Sequence, residues 1–312
     1  MSLLMNTSKL DRQTEICIHN KPLKAFIVQN DLINFDEGWK TFLPGGVMEK
    51  KGPCGNSLWN NELSRVANDC MALGGARSDV LRYYHLMLDT WIVSVDLAHS
   101  ATFGCADLEL EYQIEGRTYV NKASPSLVSS LGLSGLSRIF VLAILLRRTD
   151  DLRRLCEFDE DFYIKASDMS SDPFDIALHR LLKGVALDIT KGANSDMPKL
   201  LSEVVESSTV ESFDGNMMRL EYCHSIWLPI AKLLSHIYTK DGEKAFQDEL
   251  QDSLQHHRAH YMMDEDCELI SDSYRSLPLM AMCALAHDVR GYGIDCSSEY
   301  LEEWLVKGKF SE

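Results

Sequence analysis

Apolar side chains recur at spacings of three and four residues along most of the chain, the pattern of helices that bury one face. The clearest run begins at Asp172-Pro173, an N-cap followed by a proline at the first helical position, and ends at Lys191-Gly192. Similar runs predict further helices at 57–73, 79–100, 126–148, 197–207, 217–238, 241–262, 276–288 and 298–306. Several connections have about two to eight residues, which favours antiparallel neighbours. The sequence therefore predicts an all-α fold of stacked antiparallel helix pairs, forming one domain over residues 1–312.

Two segments depart from the helical pattern. In residues 107–120, apolar and polar side chains alternate from Leu108 to Glu115, and Gly116 follows. A period of two that ends at a glycine indicates one short β-hairpin. Residues 40–56 are rich in proline and glycine, so we expect a loop there.

The most apolar stretch, Leu127 to Leu146, resembles a membrane-spanning helix. Arg138 and several serines interrupt it, and only Ile139–Leu146 is unbroken. Because a spanning helix needs about 20 predominantly apolar residues, we expect a buried helix at the centre of the fold instead.

The charge of the chain is acidic and unevenly distributed. There are 31 Lys and Arg residues against 47 Asp and Glu residues, a net charge of −16. Residues 201–312 carry 9 basic and 21 acidic side chains, so they hold 12 of the 16 excess negative charges. Nucleic acids and anionic membranes bind clustered positive charge, so neither is an expected partner.

The nine cysteines and the N-terminal residues indicate a reducing compartment. The cysteine count is odd and includes no C-x-x-C pair, which fits neither a disulfide framework nor a zinc ribbon. Residues 1–20 lack the leading positive charge and the apolar core of a signal peptide. We therefore expect a cytoplasmic protein.

Acidic side chains form two clusters beside large apolar residues. The first acidic cluster is Asp159, Glu160 and Asp161, flanked by Phe158, Phe162 and Tyr163. The second acidic cluster is Asp264, Glu265, Asp266 and Glu268, which follows Tyr261, Met262 and Met263. Each cluster is either a solvated helix end or a contact surface for a basic protein, with the apolar residues as anchors.

Histidines near the C-terminus offer an alternative with enzymatic chemistry. His260 and the pair His287-Asp288, with Asp295 as a further acid, match the residue types of a metal-dependent HD-type phosphohydrolase. The competing interpretation is that these histidines close helices, where the negative end of the helix dipole favours them. The sequence contains no G-x-S-x-G, P-loop or G-x-G-x-x-G motif.

The C-terminal segment Leu277–Asp288, followed by Gly291–Leu305, resembles the immunity protein 49 family of bacterial polymorphic toxin systems. In that family a leucine-rich helix ending in Ala-x-Asp precedes a glycine turn and a Ser-x-Tyr-Leu start to the last helix. The resemblance extends over approximately 80–306 and is strongest over 255–306. Glu302 departs from it, because a proline is expected there. Two further segments are similar to the middle of the family: Asp172–Leu178 and His257–Tyr261.

The resemblance implies a helical protein that binds a cognate toxin and has neither enzymatic activity nor a cofactor. A toxin that acts on nucleic acid needs a basic cleft, which an acidic protein can fill. We therefore expect an immunity protein that neutralises a basic secreted toxin by stoichiometric occlusion. The expected contacts are the two acidic clusters, with Phe158, Tyr163 and Tyr261 as anchors. The phosphohydrolase and a helical-repeat scaffold or regulator remain as alternatives, and the sequence leaves the oligomeric state open.

Overall fold

The computed structural model describes residues 57–102, 109–122, 133–166, 172–263 and 271–310. These residues are mostly helical and include one pair of strands. In chain order the elements are α1 Ser57–Ala72, α2 Arg77–Thr102, β1 Glu109–Ile114, β2 Arg117–Lys122, α3 Leu133–Leu145, α4 Thr149–Glu157, α5 Glu160–Ala166, α6 Pro173–Lys191, α7 Met197–Glu206, α8 Met217–Tyr222, α9 Leu228–Tyr238, α10 Glu243–Tyr261, α11 Leu277–Arg290 and α12 Glu303–Val306. The predicted fold class, a helical protein with one short hairpin, is confirmed.

Three helices differ from the predictions: α4 and α5 are not predicted, and the predicted helix at 298–306 is shorter in the structure. Periodicity does not reveal α4 or α5, because each is short and rich in charge, and α4 buries only Leu152, Leu155 and Cys156. The predicted helix at 298–306 is helical only in α12. The loop predicted at 40–56 lies outside the described residues.

The ends of α6 are fixed by its local sequence. The Asp172 carboxylate accepts a hydrogen bond from the Asp175 N–H at 2.8 Å. Pro173 occupies the first turn, where a backbone N–H would have no acceptor within the helix, so its lack of an N–H costs nothing. At the other end Gly192 adopts a φ of 59°, and its N–H donates to the Asp188 carbonyl at 3.0 Å. The apolar face between these caps packs against α3, α4 and α7. Both predicted ends of this helix are therefore confirmed.

The core of the described chain is built around α3. From Leu136 to Leu145 its side chains are buried, with the exception of Arg138. This helix contacts α6 and also α11, which is far away in the sequence. None of the described helices combines the length and the apolar character that crossing a bilayer requires. The described part of the most apolar stretch is the expected buried helix.

Strands β1 and β2 form the predicted hairpin. They pair antiparallel, with Tyr112 opposite Tyr119. The connecting residues Glu115 and Gly116 both have positive φ values, 49° and 74°, which a type I′ turn requires. Tyr112 and Ile114 are buried while the intervening polar side chains are exposed, as the period of two predicts.

Helices α8 and α9 are joined without interruption by a π-helical turn, Cys223–Trp227. Pro229 explains this turn, because its ring lacks an N–H and crowds the carbonyl of Ser225. The Leu228 N–H instead donates to the carbonyl of Cys223, the wider step of a π-helix. The predicted helix at 217–238 is therefore present, with one widened turn.

Helix α10 runs antiparallel to the α8–α9 segment. Only residues 239–242 separate α9 from α10, so the chain reverses sharply. Lys232 and Glu249 form an ion pair at 3.4 Å, and the rings of Tyr222 and His260 lie 5.6 Å apart. These two contacts keep the same register along the hairpin. The C-terminal end of α10 therefore lies beside α8.

Candidate functional site

The first acidic cluster is tied into the fold at the start of α5. Asp159 accepts a hydrogen bond from the N–H of Phe162 at 2.7 Å, which caps the first turn of the helix. Glu160 accepts hydrogen bonds from Arg180 on α6 at 2.9 and 2.5 Å, and these bonds lower the pKa of its carboxyl group. Asp161 is exposed. Two of the three carboxylates thus make internal contacts.

Two of the aromatic side chains expected as anchors are buried. Phe158 is 4% exposed, and its ring centroid lies 4.8 Å from that of His99. Tyr261 is 3% exposed and packs 4.9 Å from the ring of His257. Because both rings already fill the core, the expectation that they anchor a partner is corrected. The side chain of Tyr163 lies outside the described part of the chain.

The residues of the phosphohydrolase alternative serve separate contacts. Asp288 accepts hydrogen bonds from Arg147 at 3.0 and 3.2 Å. The Nδ1 atom of His287 lies 3.3 Å from the carbonyl oxygen of Tyr292, and the His260 ring packs against α8. Among the described residues, no three His, Cys, Asp or Glu side chains are arranged to hold a metal ion. The structure therefore does not assemble His260, His287 and Asp288 into a metal site.

Four exposed methionines form the surface that we call the methionine face. Met217 and Met218 open α8 and are 59% and 84% exposed. Met262 and Met263 follow α10 and are 48% and 53% exposed. The second acidic cluster, within residues 264–268, begins directly after them and lies outside the described residues.

The antiparallel hairpin brings both methionine pairs to the same end of the molecule. Tyr222 and His260 contact each other across the hairpin. Met218 lies one helical turn before Tyr222, and Met263 lies just beyond His260 in the opposite chain direction. The two pairs are therefore neighbours in space although about 45 residues separate them in sequence.

Two exposed valines extend this surface: Val205 in the last turn of α7, and Val210 in the segment between α7 and α8. Val205 is 56% exposed and Val210 is 42% exposed. The segment folds back beside α8, because the Gly215 N–H donates to the Val210 carbonyl at 3.1 Å and the His224 ring nitrogen lies 2.8 Å from the Ser208 carbonyl oxygen. The methionine face and the valines thus share one end of the hairpin.

The charged side chains around the methionine face are mainly acidic. In the part of the chain that the structure describes, four exposed carboxylates here form no ion pair: Glu206, Glu211, Asp214 and Glu221. Arg219 lies among them, but its guanidinium points inward to Asp172 and Asp175 at 3.0 and 2.5 Å. Arg258, which lies on α10 one helical turn before Met262, is half-buried. The surface therefore presents acidic and apolar groups together.

A polar network beneath this surface fixes α8 to the core. Arg138 forms an ion pair with Asp272 at 2.8 Å and also donates to the hydroxyl of Tyr222 at 3.4 Å. The negative charge of Asp272 raises the pKa of the Arg138 guanidinium further above its ordinary value. Asn68 donates to Asp272 at 3.3 Å and accepts from Tyr84 at 2.8 Å. This network connects α1, α2, α3 and α8, so α8, which carries Met217 and Met218, is fixed to the core by polar contacts.

Sequence analysis places Met262 and Met263 beside the second acidic cluster, but it does not identify Met217 and Met218 as exposed residues. Met217 and Met218 begin a periodic run, and apolar residues in such a run are normally assigned to the core. The local charge is the sequence feature that indicates an exposed surface here, because residues 203–221 contain five acidic side chains and a single basic one. Which apolar residues face outward depends on which helix packs against the run.

Comparison with known protein families gives a match over most of the chain. The sequence model of the family described as Immunity protein 49 matches residues 86–305. No curated protein matches the chain, and no solved structure matches it. The matched residues include α8, α10 and the methionine face.

Proposed function

Because the chain belongs to the immunity protein 49 family, we propose that it protects the cell that makes it by binding a cognate secreted toxin. The complex is stoichiometric, forms in the cytoplasm and occludes the toxin, without catalysis or a cofactor. The observation that carries this proposal is the family match over residues 86–305.

The charge of the chain supports a basic toxin. A net charge of −16 attracts a basic protein over distances up to about a Debye length and accelerates its capture. A toxin that acts on nucleic acid needs a positively charged cleft for its substrate. An acidic protein that covers such a cleft competes directly with the substrate, so we propose a toxin of this class.

The test is co-expression of the full chain with the toxin domain encoded beside its gene, with cell growth as the readout. Growth should recover as the ratio of chain to toxin approaches one, and light scattering of the purified complex should give a fixed stoichiometry. Growth arrest at every ratio, with the folded chain present in excess, would overturn the proposal.

The same experiment separates binding from catalysis. A phosphohydrolase would protect the cell when present far below the amount of toxin, whereas an occluding protein cannot. A His287→Gln variant is the matched control, because this side chain belongs to the enzymatic alternative and lies on α11. We expect it to protect as well as the unmodified chain; loss of protection in a folded variant would favour the enzyme.

A further inference from the structure

We propose that the methionine face, with the valines and carboxylates around it, is the surface that docks a basic protein partner. The inference rests on the proposed function, under which this partner is the toxin. It goes further by assigning the contact to the open end of the hairpin that α8, α9 and α10 form, the end opposite the 239–242 connection.

The apolar part of the argument is the concentration of exposed side chains. Met218 has 84% of its surface in contact with water, and five other large apolar side chains at this end are between 42% and 59% exposed. The remaining exposed large apolar residues of the described chain lie singly on β2, α5, α6 and α11: Val120, Ile164, Ile189 and Val289. Contiguous exposed apolar groups mark interaction surfaces, while single ones are ordinary. Methionine also adapts its shape to a partner, because its side chain is unbranched and polarisable.

The charge part of the argument decides what kind of partner this surface accepts. Glu206, Glu211, Asp214 and Glu221 carry negative charge that no described basic residue neutralises. A second copy of this acidic face, a nucleic acid or an anionic membrane would be repelled. A basic protein supplies the missing counter-charges and covers the apolar groups at the same time.

The contacts that hold α8 against the core lower the entropic cost of docking. Arg219 joins the start of α8 to α6 through two carboxylates, and Tyr222 is joined to α3 through Arg138. Because α8 is already held in place, binding there orders few additional groups, and less of the contact free energy is lost to conformational entropy.

The apolar anchors are tested with a Met217→Ser/Met218→Ser variant of the full chain. The probe is the toxin domain encoded beside the gene, with its own activity silenced by mutation. We expect the dissociation constant to rise about tenfold or more, mainly through faster dissociation. The matched control is Val289→Ser, which changes a 56% exposed apolar side chain on α11 and should leave affinity within about twofold.

The charges are tested with a Glu206→Lys/Glu221→Lys variant and a matched Asp150→Lys/Asp161→Lys variant on α4 and α5. The first should slow association with the same probe about tenfold at low salt, and the difference should shrink as salt rises. The second makes the same change in net charge away from the methionine face and should slow association less. Unchanged melting temperatures establish that both variants are folded.

The outcomes separate this inference from the proposed function. If the unmodified chain binds the toxin and the methionine and glutamate variants bind equally well, the docking surface lies elsewhere and this inference is overturned. A larger effect of Asp150→Lys/Asp161→Lys would also overturn it and would assign docking to the first acidic cluster. If the unmodified chain does not bind the toxin at all, the proposed function itself fails.

Discussion

The first acidic cluster and the methionine face have similar compositions and different environments. In the cluster, Asp159 caps α5, Glu160 binds Arg180, and the neighbouring Phe158 is buried. At the methionine face, the carboxylates have no ion-pair partner among the described residues, and the apolar side chains contact water. Acidic and apolar residues side by side therefore do not by themselves indicate a contact surface.

The two regions differ because different helices pack against their acidic and apolar side chains. The start of α5 lies against α2 and close to α6, which provide His99 for the aromatic ring and Arg180 for the carboxylate. At the open end of the α8–α10 hairpin, the one basic residue between the carboxylates turns inward to α6. The carboxylates of the first region find their partners within the chain, whereas those of the second have no ion-pair partner among the described residues.

The largest expected effect is on stability, from truncating the buried ring of the first region. A Phe158→Ala variant should lose about 4 kcal/mol of unfolding free energy, because the deletion removes buried surface and leaves a cavity. A Met218→Ala variant should stay within about 0.5 kcal/mol of the unmodified chain, because its side chain already contacts water. Chemical denaturation of both variants measures the contrast, and equal losses would remove the distinction between the two regions.

A second prediction concerns His179 on α6, beside the Glu160–Arg180 pair. Burial lowers the pKa of His179 from 6.5 to about 3. As pH falls below 6.5, the unfolded chain therefore gains this proton before the folded chain does. Between pH 7 and pH 4 this difference should remove about 3 kcal/mol of stability.

Denaturation at several pH values checks this prediction. A His179→Gln variant should lose that part of the pH dependence, whatever its stability at pH 7. Identical slopes for the unmodified chain and His179→Gln would contradict the expected role of burial.

A smaller effect is expected from the helix cap. An Asp159→Ala variant should lose about 1 kcal/mol, because the N–H of Phe162 loses its acceptor. Asp159→Asn keeps an acceptor oxygen and should retain most of that stability. If Asp159→Asn is stable but binds the toxin more weakly, the first acidic cluster is a contact surface, and it does not differ from the methionine face in that respect.

The smallest effect is expected from the ion pair. Arg180 and Glu160 are 45% and 35% exposed, so water screens their attraction, and a double-mutant cycle should give about 0.5 kcal/mol. Arg153 and Asp150, which are more exposed, should give less in the same cycle. A coupling of several kcal/mol would mean that this pair is far more important to the fold than its exposure indicates.

Much of the fold follows from features that act over a few residues. The cap at Asp172, the proline after it and the glycine at 192 bound α6 as expected, and the period of two identifies the hairpin. Apolar periodicity does not predict helix α4, since its buried positions are too few to dominate the pattern. The candidate contacts were less predictable, because Phe158 and Tyr261 look like surface anchors only until neighbouring helices cover them.

Sequence alone is sufficient to predict the helical fold class, the concentration of negative charge in residues 201–312 and the resemblance to the immunity protein 49 family. Which carboxylates are bound internally, and which methionines contact water, depends on how the helices pack. The physical reason is range: caps and periodicity act within a few residues, whereas Arg180 reaches Glu160 across 20 positions and Arg219 reaches Asp175 across 44. A pairing of that kind exists only once the helices have packed.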